Sequence, residues 1–124
     1  AMDWKIELVT IPVTDVDRAK AFYEKIGFNA DHDASPYDGI RYVQLTPPGS
    51  GCSIAIGTGI TPAEPGSVVG MQMVVPDAEA ARAQLIDAGV DATEVKDEGW
   101  GWFTYFADPD GNKWAVQQLE GYYS

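Results

Sequence analysis

The chain has 124 residues, of which 45% are hydrophobic and 22% charged, and its formal net charge is −11. This composition is typical of one soluble globular domain, and the negative charge disfavours nucleic-acid and anionic-lipid partners. No run of about 18 apolar residues could span a membrane. The one cysteine, Cys52, excludes an internal disulfide and fits a reducing compartment, so we expect a cytoplasmic protein.

The sequence repeats itself at a shift of 77 − 15 = 62 residues. Residues 13–28 (VTDVDRAKAFYEKIGF) return without a gap as residues 75–90 (VPDAEAARAQLIDAGV). The same shift carries TPPGS at 46–50 onto DPDGN at 108–112. Two landmarks on one shift indicate a duplicated module. We therefore predict module 1 over about residues 4–57, a linker over 58–67, and module 2 over about 68–120.

Module 1 is predicted to fold in the order β-α-β-β-β. Thr14 or Asp15 caps its helix and Gly27 ends it. The buried stripe of that helix is Ala19, Phe22, Tyr23 and Ile26. Strands are predicted over residues 5–13, 28–32, 40–45 and 53–56.

Module 2 repeats this order. Its helix is predicted over residues 77–88, and its strands over 71–75, 91–95, 103–106 and 114–118. Because one helix covers only one face of a four-stranded sheet, the other face is left open. We predict an α+β fold in which the two modules form an eight-stranded curved sheet around a cleft, the expected ligand site.

Alternation along the strands predicts which side chains face the cleft. On the first and last strands of each module the apolar set is assigned to the core, and its alternates to the cleft. On the third strands the alternation is less decisive, and the odd-numbered positions are assigned to the cleft. The predicted cleft-facing set is Thr10, Arg41, Val43, Ser53, Gln72, Phe103, Tyr105 and Gln117. Arg41 is either a surface-paired arginine or an anchor for a ligand carboxylate or carbonyl.

The most unusual local sequence is DEGWGWF at residues 97–103. Two tryptophans separated by one glycine, Trp100 and Trp102, are costly to leave in water unless they cover something. They indicate either rim or dimer packing, or a stacking platform for a flat aromatic ligand. In the second case Asp97 and Glu98 are available to a cation beside the ring.

The tandem modules, the stretch VTDVDRAKAFYEKIGF and the closing DPDGNKWAV together resemble the vicinal oxygen chelate superfamily. Its members include glyoxalase I, extradiol dioxygenases, fosfomycin-modifying enzymes and bleomycin-binding resistance proteins. The resemblance covers nearly the whole chain and implies the fold. It does not imply one chemistry, because the scaffold hosts many reactions. It also implies a homodimer, in which Tyr122 and Tyr123 could pack on the partner subunit.

Metal-dependent members of that superfamily carry His, Glu or Gln at four positions. The resemblance carries these positions onto Leu8, Ser53, Gly70 and Ala115 of this sequence. None of the four offers an imidazole or a carboxylate, which divalent catalytic metals require. We therefore expect no metal site, no cofactor and none of the superfamily's usual metal chemistry.

The pattern favours a binding protein over an enzyme. The leading hypothesis is a metal-free small-molecule binder that sequesters an aromatic compound, cationic or neutral, such as an antibiotic. The alternative is a metal-independent isomerase or lyase that uses Tyr105 or Glu98 in the same cleft. A third reading is an interaction or regulatory module. No nucleic-acid or membrane partner is expected under any of them.

Overall fold

The computed structural model describes residues 2–119 and divides the chain into two compact units between Ser67 and Val68. Tyr122 and Tyr123 lie outside the described residues. Each described helix is ten residues long, and none in this part of the chain is long and apolar enough to cross a membrane.

Each unit is a four-stranded sheet with one helix, which confirms the prediction of tandem α+β modules. Module 1 contains β1 (Leu8–Thr10), α1 (Val16–Lys25), β2 (Asn29–Ala34), β3 (Arg41–Thr46) and β4 (Ser53–Thr58). Module 2 contains β5 (Met71–Val74), α2 (Ala78–Asp87), β6 (Lys96–Asp97), β7 (Gly101–Ala107) and β8 (Lys113–Leu119). The sheet orders are β1-β4-β3-β2 and β5-β8-β7-β6, with the first pair parallel and the others antiparallel.

Both helices begin at the predicted aspartates. The Asp15 carboxylate accepts a hydrogen bond from the Arg18 N–H at 3.0 Å, and Asp77 accepts one from Ala80 at 3.1 Å. These caps satisfy backbone donors that have no partner within the helix. The predicted stripe of α1 is buried, with Ala19 and Tyr23 fully enclosed. The helix therefore packs on its sheet through the face that the 3.6-residue period indicates.

The DPDGN turn between β7 and β8 is organised by a buried carboxylate. Asp108 accepts hydrogen bonds from the N–H groups of Asp110 and Asn112 at 3.0 and 2.9 Å, and from Asn112 Nδ2 at 2.8 Å. Asn112 Oδ1 in turn accepts from the Val68 N–H at 3.1 Å. The turn therefore fixes both the β7–β8 hairpin and the start of the chain segment that leads into β5.

The predicted strand over residues 91–95 is wrong. Thr93 donates its N–H to the Tyr105 carbonyl at 3.0 Å, but its own carbonyl accepts from Thr104 Oγ1 and Arg82 Nε at 2.7 and 2.9 Å. Side-chain donors thus occupy the acceptor that a strand ladder would need. The edge strand forms later, as β6.

The first strand is shorter than predicted. The ladder covers Leu8–Thr10, and the Ser53 N–H also donates to the Glu7 carbonyl at 2.8 Å. Residues 2–7 are exposed and lie outside the ladder, so the strand that was predicted from residue 5 begins at Leu8.

The shift of 62 residues does not hold on the last strands. Thr10 pairs with Ala55, whereas its counterpart Gln72 pairs with Ala115. The separations are 55 − 10 = 45 and 115 − 72 = 43 residues, so module 1 has two more residues between these paired positions. The residue of module 1 that occupies the register position of Ala115 is therefore Ala55, and not Ser53 as predicted.

Candidate functional site

The strand register of module 2 sorts its side chains onto two faces. Phe103 pairs with Gln117 and Tyr105 with Ala115, so these four share one face. The opposite face carries the helix, since Gln118 Oε1 on that face accepts a hydrogen bond from the first N–H of α2 at 2.9 Å. We call the side opposite α2 the front face of module 2. It comprises Gln72, Phe103, Tyr105, Ala115 and Gln117.

A row of three aromatic rings runs along this front face. The rings of Phe103 and Tyr105 stack with centroids 5.8 Å apart and planes 7° apart. Trp100, in the turn before β7, meets Phe103 edge-on at 6.5 Å. Phe103 is buried, whereas Trp100 is 68% exposed and Tyr105 36% exposed. The row therefore presents an uncovered aromatic surface that could accept another flat ring.

The structure does not place Trp102 in this row, although the sequence analysis groups it with Trp100. Trp102 pairs with Gln118 and Asp97, which puts its side chain on the helix-bearing face. The reason is the strict two-residue period of a strand. Trp100 does not follow that period, because it lies in the turn before β7. In this turn the Glu98 N–H donates to the Gly101 carbonyl at 3.0 Å.

Two glutamine amides lie beside the aromatic row. Gln72 Nε2 donates to Gln117 Oε1 at 2.6 Å, which links β5 to β8 through side chains. The Gln117 amide lies over Gly101, where a Cβ would come within 2.6 Å of Nε2. Glycine at 101 therefore leaves the space that the amide occupies. Both glutamines are predicted cleft residues, and the structure brings them together.

Glu98 is the charged group next to the row. Tyr105 Oη donates to Glu98 Oε2 at 3.1 Å, and Lys96 Nζ lies 3.5 Å from Glu98 Oε1. Partial burial, and then the hydrogen bond and charge of Glu98, raise the pKa of Tyr105. The phenol therefore stays protonated at neutral pH and holds its ring against Phe103.

Module 1 carries a polar ladder on the face opposite α1. Ser53 is buried, and its hydroxyl contacts Thr46 Oγ1 at 2.6 Å and Gln44 Nε2 at 3.5 Å. Tyr42 Oη donates to Gln44 Oε1 at 3.0 Å, and Thr46 Oγ1 donates to Asp31. Hydrogen bonds from Thr46 and Asn29 lower the pKa of Asp31. Ser53 is thus part of a hydrogen-bonded set that already satisfies it.

Sequence reasoning missed most of this ladder. Tyr42, Gln44 and Thr46 alternate with the buried Val43 and Leu45 along β3. That alternation was the available signal, since the two apolar residues mark the core face. Thr10, predicted to face the cleft, pairs with Ala55, which pairs in turn with Gln44, so it does lie on the face of the ladder.

The structure corrects the predicted positions of Arg41 and Val43. Val43 is fully buried and pairs with Ile56 on the helix-bearing face, because it belongs to the apolar set of β3. Arg41 shares that face. Its Nε and Nη2 donate to the two carboxylate oxygens of Asp33 at 3.1 and 2.9 Å, and its Nη1 donates to Asp17 on α1 at 2.7 Å. Arg41 is therefore the surface-paired arginine of the two alternatives.

Asp33 accepts hydrogen bonds from a second cationic side chain besides Arg41. Lys20 Nζ also donates to it at 2.9 Å. The hydrogen bonds from Arg41 and Lys20 hold the pKa of Asp33 far below its ordinary 3.8. The hydrogen bonds that Arg41 donates to Asp33 and Asp17 raise its own pKa. A carboxyl whose pKa falls on folding adds stability above its unfolded pKa and loses it as the pH drops through its folded pKa.

We therefore expect Asp33→Asn to lower the free energy of unfolding at pH 7 by about 1 kcal/mol, a modest value because the pair is partly solvated. Between pH 4 and pH 2 the wild type should lose more stability than the variant, since only the wild type has this carboxylate to protonate. Urea unfolding at several pH values measures both. Asp38→Asn, an exposed aspartate in the same module, is the control. Parallel pH curves for wild type and Asp33→Asn would contradict the assignment.

The family's metal positions do not fit a metal in this chain. Leu8 pairs with Ser53 as the resemblance implies, but Ala115 pairs with Gln72 and not with Gly70. Leucine, alanine and glycine side chains carry no donor atom, and Ala55, the register counterpart of Ala115, adds none. Within residues 2–119, no three His, Cys, Asp or Glu side chains are grouped so as to hold a metal ion.

A shallow depression of about 340 Å³ lies elsewhere, beside the loop that follows β2. Its lining includes Tyr37, Ile40 and Arg41. Arg41, its cationic group, is already engaged by two carboxylates. The aromatic row of module 2 is the better candidate, because its rings and amides converge on one face.

A family model of the glyoxalase/bleomycin resistance protein/dioxygenase superfamily matches residues 5–116. The chain belongs to this superfamily. The match spans both modules, so the duplication and the family assignment describe the same architecture. Among curated proteins no match to the chain was found.

Solved members of the superfamily share the fold over nearly the whole chain. TnmS3, an antibiotic binding protein from Streptomyces sp. CB03234, is 32% identical with a TM-score of 0.86, covering 96% of this chain and 98% of its own. A glyoxalase/bleomycin resistance protein from the same strain is 33% identical with a TM-score of 0.80, covering 92% and 100%. A superfamily member from Sphaerobacter thermophilus DSM 20745 is 28% identical with a TM-score of 0.84, covering 95% and 99%.

Proposed function

We propose that this protein binds and sequesters a flat aromatic small molecule, of the kind found among antibiotics, without a metal. The observation that carries the proposal is the aromatic row on the front face of module 2, where Trp100 and Tyr105 are exposed on either side of the buried Phe103. Flat apolar area buried on these rings would supply about 25 cal/mol per Å². Similarity to TnmS3, an antibiotic binding protein, supports the class of ligand.

The negative charge of Glu98 and of the whole chain favours cationic ligands. Glu98 lies beside the row with its side chain 24% exposed, and the whole chain carries a formal charge of −11. Both features attract cations and repel anions. A cationic aromatic compound should therefore bind more tightly than its anionic analogue.

Titration with polycyclic aromatic antibiotics and bleomycin-like glycopeptides tests the proposal, with tryptophan fluorescence as the readout and a chelator present throughout. We expect quenching that saturates at micromolar concentration for at least one compound, with the chelator having no effect. Absence of quenching across the panel would contradict the proposal. So would binding that the chelator abolishes.

The second candidate is a metal-independent isomerase or lyase, and one contact favours it. Tyr105 Oη donates to Glu98 at 3.1 Å, so a phenol and a carboxylate stand side by side on the front face as a possible proton-transfer pair. Turnover of a substrate in the presence of chelator, lost in Tyr105→Phe, would establish an enzyme. Unaltered recovery of every bound compound supports sequestration instead.

We also propose a homodimer. In module 1, β1 is an edge strand, and the preceding segment exposes Met2, Trp4 and Ile6 at alternate positions. Such an edge with a row of apolar side chains favours association with a second copy. Gel filtration should give about twice the 13.4 kDa of one chain, and Trp4→Ser should shift the equilibrium towards the monomer. A mass of 13.4 kDa for the wild type would contradict the dimer.

A further inference from the structure

Gln117 is a buried polar side chain with hydrogen-bonding capacity left over. It is only 6% exposed and lies on the front face of module 2, opposite Phe103 on β7 and next to Val74 on β5. Its Oε1 accepts the short hydrogen bond from Gln72 Nε2. Its Nε2 has no acceptor within the described part of module 2. An amide donor that no protein group engages is open to an acceptor on a ligand.

The surroundings fix which end of the amide is available. Because Gln72 engages Oε1, the Nε2 end is turned towards Gly101. Gly101 is the first residue of β7 and follows Trp100 directly. Any side chain at 101 would collide with it. The donors of Gln117 are therefore held beside the aromatic row in a fixed orientation.

We infer that Gln117, oriented by Gln72, recognises a carbonyl oxygen on the aromatic ligand. The inference rests on the proposed function and narrows it to flat aromatic compounds that carry a hydrogen-bond acceptor at the ring edge. Stacking on Trp100 and Tyr105 accepts many flat rings, whereas one oriented donor discriminates between ligands with and without an acceptor. Gln117 thus sets specificity, and the aromatic row supplies most of the affinity.

Three matched tricyclic probes test the inference: fluorene with a methylene bridge, fluorenone with a carbonyl, and carbazole with an N–H. Their sizes and shapes are similar, so stacking contributes about equally to all three. We expect the wild type to bind fluorenone about tenfold more tightly than fluorene, the size of one well-placed hydrogen bond in a buried site. Carbazole should gain no such advantage, because its N–H faces a donor. Tryptophan fluorescence gives the three dissociation constants.

Variants on the two faces of β8 provide the matched comparison. Gln117→Met keeps the length of the side chain and removes the amide, so it should bind fluorenone and fluorene equally. Gln118→Met changes the neighbouring glutamine on the helix-bearing face, and it should keep the tenfold preference even if the loss of its bond to Ala78 lowers stability.

The outcomes separate the inference from the proposed function. Quenching by all three probes with equal constants in the wild type would overturn the role of Gln117 and leave the aromatic row as a binding site. Tighter binding of carbazole would overturn it as well. Binding of none of the probes would overturn the proposed aromatic site, and the inference with it. The wild-type comparison decides these cases even if Gln117→Met fails to fold.

Discussion

Replacing Trp100 by alanine should weaken the binding of flat aromatic ligands about 30-fold, equivalent to about 2 kcal/mol for an exposed aromatic anchor. Trp100 is the most exposed ring of the row, and it contacts Phe103 edge-on, so its indole face is free to cover a ligand. The same exposure means that the free energy of unfolding should change little. Calorimetric titration measures the affinity without depending on the fluorescence of the residue removed.

Trp102→Ala is the matched control for this prediction. Trp102 lies two residues away but on the helix-bearing face, paired with Gln118. The Trp102→Ala variant should therefore bind the ligand with wild-type affinity, although the lost packing of the indole is expected to lower its stability. An equal loss of affinity in both variants, or no loss in Trp100→Ala, would place the ligand somewhere other than the front face of module 2.

Replacing Asp108 by alanine should lower the free energy of unfolding by about 3 kcal/mol or more. Its carboxylate is buried and accepts three hydrogen bonds from Asp110 and Asn112. Removing the acceptor leaves several donors unsatisfied, each at a cost of about 1–3 kcal/mol, and water can relieve only part of this. Urea unfolding followed by circular dichroism gives the value.

Asp91→Ala provides the comparison within the same module, because Asp91 is exposed. Its free energy of unfolding should stay within about 0.5 kcal/mol of the wild type. A change below about 1 kcal/mol in Asp108→Ala would mean that the DPDGN turn holds its shape without the buried carboxylate. In that case the turn would not be what fixes the β7–β8 hairpin.

The repeat at 62 residues predicted the order of the elements, because caps and helix stripes are local signals. Asp15 and Asp77 cap the two helices as expected. The shift fails between the first and last strands, where module 1 has two extra residues between paired positions. Strand pairing depends on turn length as well as on residue pattern, and a gapless repeat contains no information about a longer turn.

The faces of the third strands were the part that the sequence left open. In β7, aromatic residues occur on both faces, so Phe103 and Phe106 match either alternation equally well. In β3 the assignment of the odd-numbered positions to the cleft was wrong, because Val43 and Leu45 form the core. Arg41 lies on the same face as Val43, because residues two positions apart on a strand share a face. Its ion pairs with Asp17 and Asp33 depend on contacts distant in sequence.

The role of single site residues was even less accessible from sequence. Trp100 and Trp102 look equivalent in GWGWF, and only the turn before β7 distinguishes them. Gln72 and Gln117 were predicted to share a face, but their hydrogen bond and the amide donor it leaves over depend on side-chain geometry. The sequence could therefore predict that these side chains share a face, but not which of their atoms are left without a partner.

Heteronuclear NMR of isotope-labelled protein during ligand titration tests the central claim most directly, with a quenching compound from the antibiotic panel and a chelator in the buffer. The account predicts that the indole N–H signal of Trp100 and the side-chain amide signals of Gln72 and Gln117 shift. Those of Trp114 and Gln118, on the helix-bearing face, should stay in place. Shifts confined to that face or to module 1, with Trp100 and Gln117 unchanged, would contradict it.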